Sequence, residues 1–582
     1  MLPFFQRPGR LIARAGGAAP VDPPTGDPDQ VTTLTVRGTG APSGSILRFG
    51  IPLAAGDVAS GTSLVLRQVS DDTPWRTQVT EITTRTSGDG SMKWALIEAE
   101  MPSIADAATV ALKLVKNDAH PSPGSNLVWA TAMSGHAATM TINAGAGTPQ
   151  TIDLIADVSK SWMAGPLVAH KSGRTLLNTT AWGGKTSGMA RWHIWVDKTG
   201  DVYVDWAVLN CVNEAPGGVN AGEVFDVSIT VEIDGEEVFS ASGLDFANYC
   251  GIMHLSTLAG NYWPAYVHHD PTYVQCAGFP NLDVENGYDS SLRTGWAAEM
   301  ADPGWNAVMA QSTPGYNRGF IEYMDATGPQ PYLAMVSDSC AAWLMDGHPS
   351  AQNYAMDQAE ALSAAPWFMW LPTEGRWINR VDRPGYSSLY ASSGLQPKHS
   401  ATVNASEGGS PGPALMTAGW VHMPGSMGVP LILKGRLLLL ETVQARATYS
   451  AVHTYYTALP PGEDDIMLRE AAWTRRSIAE AAFCTPPDDP IYDVIHDLID
   501  AIQVRRSEQV AERIVSQGDM HGFGVGLYGS PSVNTGVWMD AYDLTSTYQW
   551  HLMGYDMDEY IDFVLNFWMK LHLWARHHLP LK

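Results

Sequence analysis

Charge is scarce in this sequence, and basic charge scarcest. Only 16% of its 582 residues are Asp, Glu, Lys or Arg, and 60 acids outnumber 35 bases, for a formal net charge of −25. Nucleic-acid binding needs a concentrated basic face, so this balance argues against it. An acidic polysaccharide would likewise need arginines gathered by the fold. Cysteine is sparse as well: Cys211, Cys250, Cys276, Cys340 and Cys484 are odd in number and unpatterned, as expected of buried free thiols and not of a disulfide framework. No apolar run reaches a bilayer span, since "VPLILKGRLLLLETV" is broken at Lys434 and Arg436. The N-terminal "MLPFFQRPGRLIARAGGAAP" lacks a secretory apolar stretch. HxxxH, HExxH and CxxC are missing too, so the adjacent His268 and His269 have no further zinc ligands at workable spacing. No metal or other cofactor is expected.

What is present is length and aromatic surface. A chain of 582 residues exceeds the size of one core, so two to four domains are expected. The 21 Trp and 21 Tyr supply packing area, and also the ring faces that carbohydrate sites use. Residues 1–30 hold Arg7, Arg10 and Arg14 and then "VDPPTGDPDQ", a Pro-rich stretch suited to neither helix nor sheet interior. It reads as a docking arm.

Three regions follow. Residues 31–120 alternate in "TLTVRG" and "SLVLRQV", the pattern of strands in a small β-barrel. Residues 121–255 carry the cleanest strands: Trp192, Ile194 and Val196, then Val202, Val204, Trp206 and Val208, and a hairpin at Asp234-Gly235. An antiparallel β-sandwich is predicted there. From residue 256 the period becomes helical. "DDPIYDVIHDLIDAI" has an N-cap at Asp489, Pro490 at the first position and an apolar face of Ile491, Val494, Ile495, Leu498, Ile499 and Ile502.

"RFGIPLAAGDV" (48–58) with "GSMKWALIEAEMP" (90–102), then "ATGPQPYLAMVSDSCAAWL" (326–344), "SAAPWFMWLPTEGRW" (363–377), "HMPGSMGVPLILKGRLLLLETVQ" (422–444) and "AAWTRRSIAEAAFCTPPDDP" (471–490) occur in an order that resembles the exo-rhamnogalacturonan-lyase-like proteins. The resemblance implies a β-barrel, a β-sandwich and a C-terminal α/α toroid over residues 256–582. It also exposes departures: Gln330 and Tyr332 stand where the family has Arg and Asp, Phe368, Trp370 and Leu371 replace a polar stretch, and Gly419 replaces Asp, while His422 and Arg476 are kept.

A uronate lyase needs a cation, a base and an acid. His422, Arg476 and Arg446 are candidates for the first two, and Tyr323 or Tyr273 for the third. A buried hydrogen-bonded histidine and an internal salt bridge explain His422 and Arg476 equally simply. Hydrolysis needs two carboxylates across a sugar, and no spacing singles out a pair from Glu322, Asp325, Asp338, Glu374, Glu407, Asp540 and Asp543. Non-catalytic sugar binding needs only rings and hydrogen-bonding groups. Those are Trp263, Tyr266, His268, His269 and Tyr273 in "NYWPAYVHHDPTYV", read as the toroid entrance, with Trp370, Trp377, Trp538 and Asp540. Together with Trp538 and Asp540, residues 534–550 read as a loop lining the cavity.

The expected protein therefore recognises, and in one version degrades, a polysaccharide or host-surface glycan. It is attached through its arm, as an oligomer, to a partner in a phage-like tail or particle. A free lyase or glycoside hydrolase in the cytoplasm and a purely structural virion protein are the alternatives.

Overall fold

The computed structural model describes residues 28–85, 89–116, 124–212, 224–246, 249–259, 263–277, 292–301, 336–365, 367–379, 423–425, 427–454, 468–517, 537–553 and 555–566. They form a mixed β and α protein of antiparallel sheets followed by helices.

Six strands come first: β1 (Gln30–Gly38), β2 (Ile46–Pro52), β3 (Leu64–Gln68), β4 (Thr77–Thr84), β5 (Met92–Glu100) and β6 (Thr109–Lys116). Two sheets, β1-β6-β3 and β2-β5-β4, enclose one core that includes Val36, Phe49, Ile51, Leu66, Ile97 and Leu114. Side chains alternate along a strand. With Leu47, Phe49 and Ile51 turned into that core, Ile46, Arg48 and Gly50 face away from it, as do Trp94, Leu96 and Glu98 on β5.

A short helix, α1 (Trp129–Ala132), leads into nine more strands: β7 (Ala138–Ala144), β8 (Gln150–Asp153), β9 (Lys160–Ala164), β10 (Val168–Leu176), β11 (Gly188–Asp197), β12 (Val202–Asn210), β13 (Val224–Ile233), β14 (Glu236–Phe246) and β15 (Gly251–Thr257). Sheet β15-β12-β11-β10-β9 packs on sheet β14-β13-β7-β8. Trp192, Ile194, Val196, Val204 and Trp206 fill the space between them. The turn at Asp234-Gly235 has positive φ at both residues, 54° and 82°, the form a two-residue hairpin favours. Gly173 lies opposite Trp192, and a Cβ there would come within 2.3 Å of the indole.

All ten residues of β11 are buried. A sheet with one wet face shows alternation; a run buried throughout means that both faces are covered. The second cover comes from the outer face of β2-β5-β4 and from the helical region. β16 (Ala265–His269) first returns to the N-terminal sheets and pairs with β1, Leu34 opposite His269, although the sequence places it beyond the boundary at 256. Then follow α2 (Pro271–Cys276), α3 (Leu292–Ala301), α4 (Asp338–Asp346), α5 (Pro349–Ala361), the ribbon β17 (Trp370–Leu371) and β18 (Arg376–Trp377), α6 (Gly428–Lys434), α7 (Leu438–Thr454), α8 (Leu468–Cys484), α9 (Tyr492–Gln517) and α10 (Val537–Leu552). Asp489 accepts from the Ile491 amide at 3.1 Å and α9 begins just beyond, with Ile495, Ile499 and Ile502 inward. Residues 537–550, expected as loop, are helix. No helix among the described residues is long and apolar enough to cross a membrane.

Helix α6 seats on β2. Trp94 Nε1 donates to the Ile432 carbonyl at 3.0 Å, and a Cβ on Gly50 would lie 1.9 Å from that oxygen. Just past α6, Arg436 is 4% exposed and grips Asp205 of β12 through Nε and Nη2, at 2.9 and 2.7 Å, and Glu360 of α5 through Nη1. Removing one member of such a buried cluster strands the others' charge, typically at about 3–5 kcal/mol. Arg436→Met is therefore predicted to be strongly destabilising by chemical denaturation. The combined change with Asp205→Leu and Glu360→Met should recover much of that loss.

Candidate functional site

The outer face of β2-β5-β4 meets the second face of the five-stranded sheet, and a chain of polar side chains runs through the junction. Arg48 Nη2 lies 3.1 Å from His170 Nδ1, and His170 Nε2 lies 3.0 Å from His193 Nδ1. A guanidinium only donates, so His170 must accept at Nδ1, carry its proton on Nε2 and pass the polarity on. His193 then holds its own proton on Nε2. Burial keeps both rings neutral, well below the usual histidine range, with Arg48 adding to the effect. Glu98, directly across from Arg48 in register, is pushed up to about 7 by burial that its partner at 3.7 Å only partly offsets.

At one edge this junction opens into a small cleft lined by Ile46, Arg48, Val168, Trp195, Asp197, Tyr203, Trp263 and Pro264. The space it encloses is enough for a water or two. Trp195 and Tyr203 are register partners on β11 and β12, and their rings stack 5.2 Å apart at 6°. The Arg48 guanidinium lies 4.7 Å from the Trp195 ring, which makes Trp195 a packed floor. Tyr203 and Trp263 are half-buried. Asp197 Oδ1 accepts from the Thr199 amide and hydroxyl and the Asp201 amide, and burial still raises its pKa.

Of the residues singled out by sequence, Trp263 lines this cleft. Its neighbours have structural work. Tyr266 accepts from Asn353 at 3.0 Å. His268 is half-buried against Gly347, its Nε2 3.3 Å from the Leu344 carbonyl. His269 is buried, donates from Nε2 to the Gly50 carbonyl at 2.8 Å and meets Phe49 edge-on. Asp270 caps α2, and Tyr273 sits in the barrel core donating to Asp57 at 2.6 Å. Residues 265–269 are thus a strand and 271–276 a capped helix. Trp370 and Trp377 pack edge to face at 5.0 Å, buried, beneath Arg191. Phe368 and Leu371 are core as well. Trp538 and Asp540 fall in the first turn of α10.

Arg446 and Arg476 do come together. Both are fully buried, and they grip the Pro424 and Met423 carbonyls, with Glu480 pairing Arg446. Burial first, then the adjacent Arg446, disfavours the charge on Arg476. These contacts hold the backbone that follows His422, which, like Tyr323, Gln330, Tyr332, Glu322, Asp325, Glu407 and Gly419, lies outside the described residues. Of the remaining acids, Asp543 is paired with Arg475, Arg506 and Tyr560. Among the described residues no group of three or more His, Cys, Asp or Glu is placed to hold a metal ion.

Arg48, Asp197, Trp195 and Tyr203 carried no distinguishing sequence signal. They alternate with core residues on strands, where a solvent-facing position looks identical.

Comparison with known protein families and with curated proteins finds no match. Among solved structures, a protein in the glycosyl hydrolase family 38 from Enterococcus faecalis matches 35% of this chain and 32% of its own, at 8% identity and a TM-score of 0.22. The match spans about a third of each chain, and a likeness this slight supports no conclusion about fold or activity.

His269 generates a pH prediction. Burial lowers it from 6.5 to about 3. Between those values the unfolded chain holds a proton that the folded chain refuses, so stability is lost as pH falls from 6.5 toward 3. His269→Gln keeps a donor for the Gly50 carbonyl and cannot titrate. Acid unfolding followed by circular dichroism should shift to lower pH in this variant.

Proposed function

We propose that the protein recognises a saccharide in the cleft between barrel and sandwich. The observation that carries this reading is the pairing of two half-buried rings, Tyr203 and Trp263, with one cation and one carboxylate, Arg48 and Asp197, around a shallow solvent-open space. Aromatic faces stack on the C–H faces of sugar rings, and a few fixed polar groups choose the orientation. Burial pushes the Tyr203 phenol far up, so it stays neutral. Binding is favoured over hydrolysis because the cleft lining holds one carboxylate, not the two that glycosidic cleavage needs.

The same proposal includes the three-domain frame suggested by the resemblance: barrel 31–120, sandwich 121–255 and helices 256–582 closing as a toroid. Attachment to a phage-like particle through residues 1–30 rests on the composition of that arm. A lyase acting in the helical region is the second reading, favoured by the convergence of Arg446 and Arg476 on residues 423–424, next to His422.

A glycan array followed by titration tests the first reading. Trp263→Ala and Tyr203→Ala should each weaken binding roughly tenfold, the order expected for one stacked ring, while thermal stability stays near wild type. Retention undiminished in both variants would exclude the cleft. Incubation with acidic polysaccharides separates the second reading: unsaturated products, seen by ultraviolet absorbance, with loss in Arg476→Lys, would place β-elimination among the helices.

A further inference from the structure

Two buried histidines stand where the outer face of β2-β5-β4 meets the five-stranded sheet: His170 is 1% exposed and His193 2%. Arg48 Nη2 lies 3.1 Å from His170 Nδ1, and His170 Nε2 lies 3.0 Å from His193 Nδ1. The guanidinium can only donate, so the order of donors is fixed and each ring already holds the one proton that this order allows. A second proton on His170 would sit on Nδ1, against an Arg48 N–H. A second proton on His193 would also sit on Nδ1, against the His170 N–H. Either one must break a bond of the relay.

The surroundings offer such a proton nothing. Burial comes first in keeping both rings neutral, and Arg48 on β2, Arg191 on β11 and Lys160 on β9 add to it. Each nearby carboxylate is engaged elsewhere. Asp205, beside His193 in register, is held by Arg436, and Glu98 of β5 faces Arg48 at 3.7 Å. Glu441 of α7 pairs with Arg191, and Asp488 with Lys160. Ser172, on the other side of His193, accepts from Trp162. The indoles near the two rings, Trp195 and Trp162, already face a cation each, Arg48 at 4.7 Å and Lys160 at 4.3 Å.

We propose that this joint is an acid-operated switch, in which protons taken up by His170 and His193 break the relay and part β2-β5-β4 from the five-stranded sheet. Gln78 of β4 spans the same joint. It accepts from the Leu167 and Val168 amides at 2.9 and 3.0 Å and donates to the Val168 carbonyl at 3.1 Å, so these bonds part with the relay. Arg48, Val168 and Trp195 also line the cleft, and opening gives that small space room it lacks when closed. The switch does not depend on what the cleft binds.

Freed from the relay, each ring regains a value near 6.5, so below that pH the open state takes up protons that the closed state refuses. Each such proton raises the opening constant about tenfold per pH unit. Glu98, raised to about 7 by burial, takes up a proton in the closed state and works against one of the two.

Hydrogen exchange of the whole protein between pH 7 and pH 5, read at single amides by fragmentation mass spectrometry, tests the switch. After correction for intrinsic rates, protection of the Leu167 and Val168 amides should fall at least about tenfold per pH unit below 6.5, while strands β7 and β13 keep theirs. His170→Gln supplies an oxygen for Arg48 and an N–H for His193 but cannot titrate, and should remove about tenfold per pH unit of that fall. His193→Gln, which keeps an acceptor for His170, should do the same and serves if the first variant folds poorly. Protection that is flat in pH, an equal fall in β7 and β13, or a slope unchanged in both variants would each overturn the proposal.

Discussion

The junction of the sheets and the helices depends on one buried cation. Arg436 joins a strand of the sandwich, through Asp205, to a helix of the last region, through Glu360, and it does so immediately after the helix that sits on barrel strand β2. Burial raises the Asp205 carboxyl above its usual range. The bidentate guanidinium opposes this, and the geometry that allows it fixes where all three layers stand relative to each other. Arg48, Glu98, His170 and His193 extend the polar layer from the same junction, and the open cleft lies at its edge.

That arrangement explains why so much polar material survives inside. Apolar contacts alone would tolerate sliding of one sheet over another. A hydrogen-bonded relay whose direction is set at Arg48 does not, because each bond in it needs its own partner at its own distance. Arg446 and Arg476 act similarly among the helices, clamping backbone carbonyls. Among the described residues, Arg436, Arg446 and Arg476 are thus engaged in holding the molecule's parts together.

The parts legible in the sequence were those governed by neighbours along the chain. The Asp234-Gly235 hairpin, the inward Trp192, Ile194 and Val196, and the isoleucine face of α9 follow from local period and turn chemistry, and the structure has them. The second face of β11 was not legible. Met189, Arg191, His193 and Trp195 look like a solvent-facing set, and their covers are distant in sequence: Arg48 of β2 lies over Trp195, and Glu441, Trp370 and Trp377 meet Arg191. Nor could His268 and His269 be assigned. Their roles come from Gly50, Leu344 and Gly347, all distant in sequence. Arg48 has the same difficulty, since its surroundings are assembled from four separate strands and a loop.

The strand β16 has a consequence in time. It supplies Ala265 and Val267 to the barrel core and covers the outer edge of β1, yet the whole sandwich is threaded between the two. On a ribosome adding roughly 5–20 residues per second, β1 waits on the order of ten to fifty seconds for its partner. Throughout that interval its edge stands open, a template for any passing strand. The last strand of the N-terminal core thus arrives only after β7 to β15 have been made.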